Sequence, residues 1–311
     1  MRISVKFDVK FDYPVLEELW RTADRLGFSA VWVYDHFYGP SEHTDPVYEG
    51  WTTLAAMAVV TKRARVGCLV PSVTYRNPAI VANMAVTVDH ISGGRLDFGI
   101  GAGWHEAEHS GYGIEFPSPA VRVAMVDEAL TVIRRLWTEE SVTFHGQFYD
   151  LEDALCEPKP LQRPHPPIVI GGTKPKMLRV IARHADLWNM PGHDGPQTWG
   201  EVNVRLDEAC AEVGRAPADV QRSAQVPLHP EEPGQVDEQL ALLPQFEQLG
   251  CEHMVLAFRE PPTTALLERC LTLDRPVAHQ TRIQSTSMSA GYVPGPGSPP
   301  PEPATARLKT G

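Results

Sequence analysis

The 311-residue chain has room for one large α/β barrel or two ordinary domains. With 42% hydrophobic and 22% charged residues a packed core is expected. The formal net charge of -11 argues against nucleic acid or an anionic membrane as partner, while a few local donors still suffice for an anionic cofactor. Cys68, Cys156, Cys210, Cys251 and Cys270 form no C-x-x-C pair, and an odd, scattered set is no disulfide framework. They read as reduced thiols in a cytoplasmic protein. The N-terminus enters a strand pattern at once, no signal peptide fits there, and no apolar run approaches membrane-spanning length.

In chain order, residues 3–7 form the first candidate strand. Asp12 then caps a helix with Pro14 in its first turn and Val15, Leu16, Leu19, Trp20, Ala23 and Leu26 on one face, ended by Gly27. Residues 30–34 read as a strand, 51–61 as a helix and 66–70 as a third strand. Asn77-Pro78 supplies an N-cap followed by proline at the first helical position, and Gly93-Gly94 closes that helix. Residues 96–100 make the fourth strand. Val123, Val126, Leu130, Ile133 and Trp137 recur at spacings of three and four, which predicts a helix. Residues 142–144 and 147–149 flank His145-Gly146 as a hairpin, and the proline-rich residues 158–167 read as an extended crossing. Strands at 168–170, 187–190, 222–226 and 253–257 follow, with helices near 175–184, 199–213, 235–248 and 263–272.

Eight strands, each followed by a helix apart from one insertion after the fourth, predict a closed (β/α)8 TIM barrel over residues 1–284. Residues 285–311 turn to Pro, Ser and Gly and are expected to be a disordered tail.

A barrel of this kind carries its active site at the C-terminal ends of the strands. Those ends hold Asp35-His36, then Cys68-Leu69-Val70-Pro71, then Gly101-Ala102-Gly103-Trp104-His105, then Gly171-Gly172-Thr173, then Trp188-Asn189-Met190-Pro191. Asp35-His36 suits an acid–base pair, or simply a polar strand end that satisfies loop backbone. Gly99-Ile100-Gly101-Ala102-Gly103 is G-x-G-x-G rather than the dinucleotide G-x-G-x-x-G, so its glycines serve a sharp turn or a flat ring. Gly171-Gly172-Thr173-Lys174 opens a helix and suits a phosphate, or an ordinary tight turn. His105-Glu106-Ala107-Glu108-His109 matches H-E-x-x-H, with Glu106 as the base of a zinc hydrolase. The extended pattern fails at Tyr112 and Glu115, no third ligand presents itself, and the expectation is no metal.

Several runs in order resemble the luciferase-like monooxygenase superfamily, most of all its branch of oxidoreductases dependent on the deazaflavin coenzyme F420. They are Tyr75-Arg76-Asn77-Pro78, Asp89-His90-Ile91-Ser92-Gly93-Gly94-Arg95-Leu96 and Gly99-Ile100-Gly101-Ala102-Gly103-Trp104, then Tyr112-Gly113-Ile114-Glu115-Phe116-Pro117, Pro158-Lys159-Pro160, Pro164-His165-Pro166-Pro167-Ile168 and Ala185-Asp186-Leu187-Trp188-Asn189. The resemblance implies hydride transfer between F420 and a small organic substrate, with His36 as proton donor or acceptor. FMN in a monooxygenase is the alternative, and zinc hydrolysis or a non-enzymatic carrier are more distant ones. It implies cofactor contacts from Asp35, His36, Cys68, Leu69, Val70, Ala102, Gly103, Trp104, Gly171, Gly172 and Thr173, with a non-proline cis peptide at Cys68-Leu69. Trp104 stands where sugar-phosphate dehydrogenases of the superfamily carry a glutamate, which speaks against glucose 6-phosphate and for an apolar wall. A homodimer is compatible with this reading.

Overall fold

A parallel strand buried on both faces needs apolar side chains towards the surrounding helices and leaves its alternate side chains to fill the barrel. In the first strand, β1 (Arg2–Phe7), Ile3, Val5 and Phe7 join the core between barrel and helices, while Ser4 and Lys6 turn inward. The computed structural model describes residues 1–39 and 43–273. The remaining elements are α1 (Tyr13–Leu26), β2 (Ala30–Val33), α2 (Gly50–Val60), β3 (Arg65–Cys68), α3 (Pro78–Ser92), β4 (Leu96–Ile100), α4 (Glu106–Tyr112), α5 (Pro119–Thr138), β5 (Val142–His145), β6 (Asp150–Ala154), β7 (Ile168–Gly171), α6 (Pro175–His184), β8 (Leu187–Pro191), α7 (Gly195–Glu212), β9 (Gln221–Leu228), α8 (Gln235–Gln248), β10 (His253–Phe258) and α9 (Thr264–Leu271). The barrel runs β1-β10-β9-β8-β7-β4-β3-β2, and β10 closes it on β1 from Arg2↔His253 to Phe7↔Phe258. The expected (β/α)8 barrel is thus the observed one, with α4, α5 and the β5–β6 hairpin as the insertion after the fourth barrel strand.

Inside the barrel lies a second apolar cluster of Ala30, Trp32, Leu69, Val169, Leu187 and Val255. Beside it, Ser4 Oγ accepts from the Trp32 indole at 3.1 Å and lies 2.8 Å from His253 Nε2. Packed side chains therefore fill the barrel below its C-terminal rim.

Three expectations need correction, and one element is added. Asp12 precedes α1, but its side chain makes no capping bond. The second strand of the hairpin is Asp150–Ala154, three residues later than expected. The reason is Glu128 on α5, whose carboxylate accepts from the backbone N–H of Gln147, Phe148 and Tyr149 and holds them as a turn. The H-E-x-x-H run, for which no element was expected, forms α4 with His105 as its N-cap. The non-proline cis peptide joins Leu69 and Val70, one bond beyond Cys68-Leu69. The expected tail over residues 285–311 lies outside the described residues. Among the described residues no helix is long and apolar enough to cross a membrane.

Candidate functional site

At the C-terminal rim a cleft of about 1280 Å³ is lined from every barrel strand. One arc of its wall has little side chain. Gly101 on the β4 end and Gly171 on β7 face Val70, and a Cβ on either would sit 2.7 Å and 3.3 Å from Val70 Cγ2. The missing side chains let Val70 lie across both strands as a flat apolar ledge. Gly103 follows at φ +74°, and a Cβ there would stand 2.1 Å from Ser72 Oγ, so only glycine fits. Arg122 of α5 fixes the same loop by donating to the Ala102 carbonyl at 3.1 Å.

On the adjoining arc, past β2, the side chains are polar. His36 projects into the cleft just past β2, with 15% of its side chain exposed. Its Nδ1 lies 3.0 Å and 3.1 Å from the two carboxylate oxygens of Glu108. Glu108 is sealed from solvent and also accepts from the backbone N–H of Phe37 at 2.7 Å and of Tyr38 at 2.9 Å, and from the Tyr75 hydroxyl. Burial alone would raise its carboxyl. The bonds from His36, Tyr75 and Tyr38 outweigh that and bring it down to about 2. Burial and the same carboxylate push the Tyr75 phenol up. An anionic Glu108 can only accept, so Nδ1 of His36 carries a hydrogen, and Nε2 is the atom left to gain or lose a proton.

Asp35, the expected partner of His36, points elsewhere. Successive residues of an extended chain face opposite ways, and Asp35 turns to a paired contact with Arg76, at 2.6 Å and 3.0 Å. Arg76 also bonds Glu49, the N-cap of α2. Burial raises the Asp35 carboxyl while the Arg76 guanidinium pulls it back. The group fastens the loop after β2 rather than serving the imidazole.

Of the other expected residues, Leu69, Val70, Ala102, Gly103, Trp104, Gly171, Gly172 and Thr173 all border the cleft, as does Asp35. Cys68 does not, because its thiol turns outward into the core between barrel and helices. Trp104 is 61% exposed and meets the His36 ring edge-on at 5.3 Å, so it forms a wall at the mouth. Residues 171–173 lead into α6, whose N-cap Lys174 makes no side-chain capping bond, and Lys174 and Lys176 both line the cleft. Helix N-terminal N–H groups beside two ammonium groups suit a phosphate.

His109 keeps both ring nitrogens engaged, with Thr74 Oγ1 at 2.7 Å and the His105 carbonyl at 2.8 Å. It serves as a brace between α4 and the loop after β3, and the base read as Glu106 gives way to the buried Glu108. Sequence reasoning missed Glu108, Tyr75, Lys6, Tyr34 and Arg259 as cleft or supporting residues. The inward parity of Ser4 and Lys6 in β1 was a usable signal for one of them.

A family model described as luciferase-like monooxygenase matches residues 6–269. An F420-dependent glucose-6-phosphate dehydrogenase of Kineococcus radiotolerans is 32% identical over 222 residues, covering 70% of this chain and 64% of that protein. A phthiodiolone/phenolphthiodiolone dimycocerosates ketoreductase of Mycobacterium bovis is 31% identical over 206 residues, covering 65% and 51%. The chain spans less than two thirds of the length of these curated relatives. Among solved structures, an F420-dependent secondary alcohol dehydrogenase in complex with an F420-acetone adduct superposes with a TM-score of 0.74 at 21% identity, over 86% of this chain and 96% of that one. The F420-dependent tetrahydromethanopterin reductase of Methanopyrus kandleri gives 0.73 at 16% identity, over 88% and 97%. At such identities the two structures speak for the barrel itself. The family match runs from β1 through α9 and takes in the whole rim, so the chain belongs to the luciferase-like monooxygenase family.

Proposed function

We propose that the chain is an F420-dependent oxidoreductase acting on a small organic substrate, with His36 exchanging the proton that accompanies the hydride. The observation that carries this reading is the pairing, in one cleft, of a side-chain-poor ledge with an imidazole whose free nitrogen is set by a buried carboxylate. The donor set fits a deazaflavin. Val70, Gly101 and Gly171 would bear a flat ring, and residues 171–174 with the α6 N-terminus would hold its phosphate. When bound, the deazaflavin would supply the hydride chemistry. The protein's part is to orient the substrate, shield the cleft behind Trp104 and move a proton at His36 Nε2. Two curated relatives are F420-dependent dehydrogenases by name, which supports the same cofactor. Five buried free thiols and the net charge of -11 fit a cytoplasmic protein with no nucleic-acid or membrane partner.

Titration with F420 and with FMN tests the cofactor, and F420 is expected to bind clearly more tightly. For His36→Ala, turnover should fall at least about a hundredfold, while F420 affinity stays within roughly tenfold. Tight FMN binding without F420 binding would overturn the cofactor assignment. Normal turnover in the variant would remove the proton role.

A further inference from the structure

Lys6 is the last inward residue but one position short of the end of β1, and it is buried at the inner edge of the cleft. Its Nζ lies 5.8 Å from the centre of the Tyr34 ring, and the His36 ring centre lies 5.6 Å from that of the same ring. Among the described residues the Lys6 ammonium makes no ion pair within 4 Å and donates no hydrogen bond. The nearby carboxylate, Asp8, is already occupied. Its Oδ1 accepts from the Tyr34 hydroxyl and the Lys10 N–H, and its Oδ2 faces Arg259 at 3.7 Å. Arg259, just beyond β10, lines the cleft too. Two cations therefore share one carboxylate at this corner, and a buried cation without a counter-charge is costly.

We propose that Lys6 and Arg259 bind a carboxylate of the substrate, so that the substrate is an organic acid whose alcohol or ketone carbon reaches His36. The assignment rests on the oxidoreductase reading for the reacting carbon, and on the cleft alone for the carboxylate. An ammonium and a planar guanidinium suit the two oxygens of a carboxylate. The corner lies on the β1–β10 side, away from the phosphate-binding turn on β7, so cofactor and substrate anions have separate holders. Burial first, and then Arg259, bring the Lys6 amine down to about 7 against the opposing pull of Asp8 and the Cys68 thiol. The Tyr34 phenol, which also faces it, is spent on Asp8. Lys6 thus gains its charge as pH falls through about 7, and an arriving carboxylate would hold it charged.

The test uses the full chain with two matched probes, phenylacetate and phenylacetamide, titrated by calorimetry with and without F420. Phenylacetate should bind at least about tenfold more tightly, and its affinity should fall as pH rises from 6 to 9. Lys6→Met should abolish the preference, and Lys6→Arg should keep it. Equal binding of the two probes, or a preference that survives in Lys6→Met, overturns the proposal. So does a Lys6→Met variant that loses F420 instead of phenylacetate, because Lys6 would then be a cofactor contact. Thermal melts confirm that each variant is folded. Carboxylate preference in a protein that never binds F420 would leave this site standing and remove only the cofactor assignment.

Discussion

Glu108 accepts from four donors while sealed from solvent, and this arrangement decides which nitrogen of His36 carries the hydrogen. In Glu108→Gln the amide oxygen must stay on the Phe37 and Tyr38 N–H groups, since those positions only donate. The amide NH2 then faces His36 Nδ1 and the Tyr75 hydroxyl. It would donate to Nδ1 and move the ring hydrogen to Nε2, leaving the wrong tautomer for accepting a proton. Turnover should fall by about 10²–10⁴-fold, with F420 affinity nearly unchanged; stopped-flow reduction and a binding titration read the two separately. Near-normal turnover would show that the carboxylate is structural. The sequence made His36 visible through its place at a strand end but suggested the wrong carboxylate. Asp35 is its neighbour in the chain, and for that reason points away from it. Glu108 is 72 residues distant, and nothing local connects the two. Its presence within H-E-x-x-H was a signal, read through Glu106 because the zinc pattern directs attention to that position.

At the level of elements, the run from Asp89 to Leu96 carried much of the family resemblance, yet it lies at the end of the barrel opposite the cleft. Asp89, on the last turns of α3, is fully buried and accepts from Leu161 N, Gln162 N and Gln162 Nε2, at 2.7, 3.2 and 2.8 Å. It ties the proline-rich crossing to the barrel. Arg95 donates to the carbonyls of Ala58, Thr61, Ala64 and Ser92 and so anchors the end of α2 beside the start of β4. These are fastening groups, and they explain why a motif that identifies the fold says little about chemistry. Asp89→Ala removes an acceptor from three part-buried donors, of which Gln162 Nε2 keeps the Leu96 carbonyl, and unmade bonds of that kind cost about 1–3 kcal/mol each. Partial access of water should limit the net loss to about 2–4 kcal/mol. Urea unfolding should register this loss while F420 affinity holds. An unchanged midpoint would mean that the crossing is held by its prolines alone. Strands and helices were legible because their periods are set by burial, whereas the hairpin slipped by three residues because its turn is shaped by Glu128, a residue outside it.

The molecule as a whole closes on β1 and β10, and the interior of that seam holds a histidine. His253 is 3% exposed, with Nε2 against Ser4 Oγ and no partner for Nδ1 among the described residues. Burial, then the charges of Arg2 and Arg65, push its imidazole down to about 3. In the unfolded chain the same ring titrates near its ordinary value, about 6.5. Below that value the unfolded chain binds a proton that the folded barrel refuses, so stability is full above about pH 6.5 and falls as pH drops towards 3. Between pH 7 and 5 the loss from this one ring comes to about 2 kcal/mol. Carboxyls held low in the fold, such as Glu108 and Asp24, add the same sign of effect only below about pH 4.5. The buried His105 is also pushed down and contributes within the same window. A difference between proteins is therefore the proper readout. His253→Phe keeps a ring beside Trp32 and leaves Ser4 bonded to Trp32 and the Met254 carbonyl. Urea unfolding at pH 7, 6 and 5 should show a stability slope shallower than that of the parent by about 1 kcal/mol per pH unit. Equal slopes would mean that water or a backbone shift already lets His253 accept a proton inside the closed barrel.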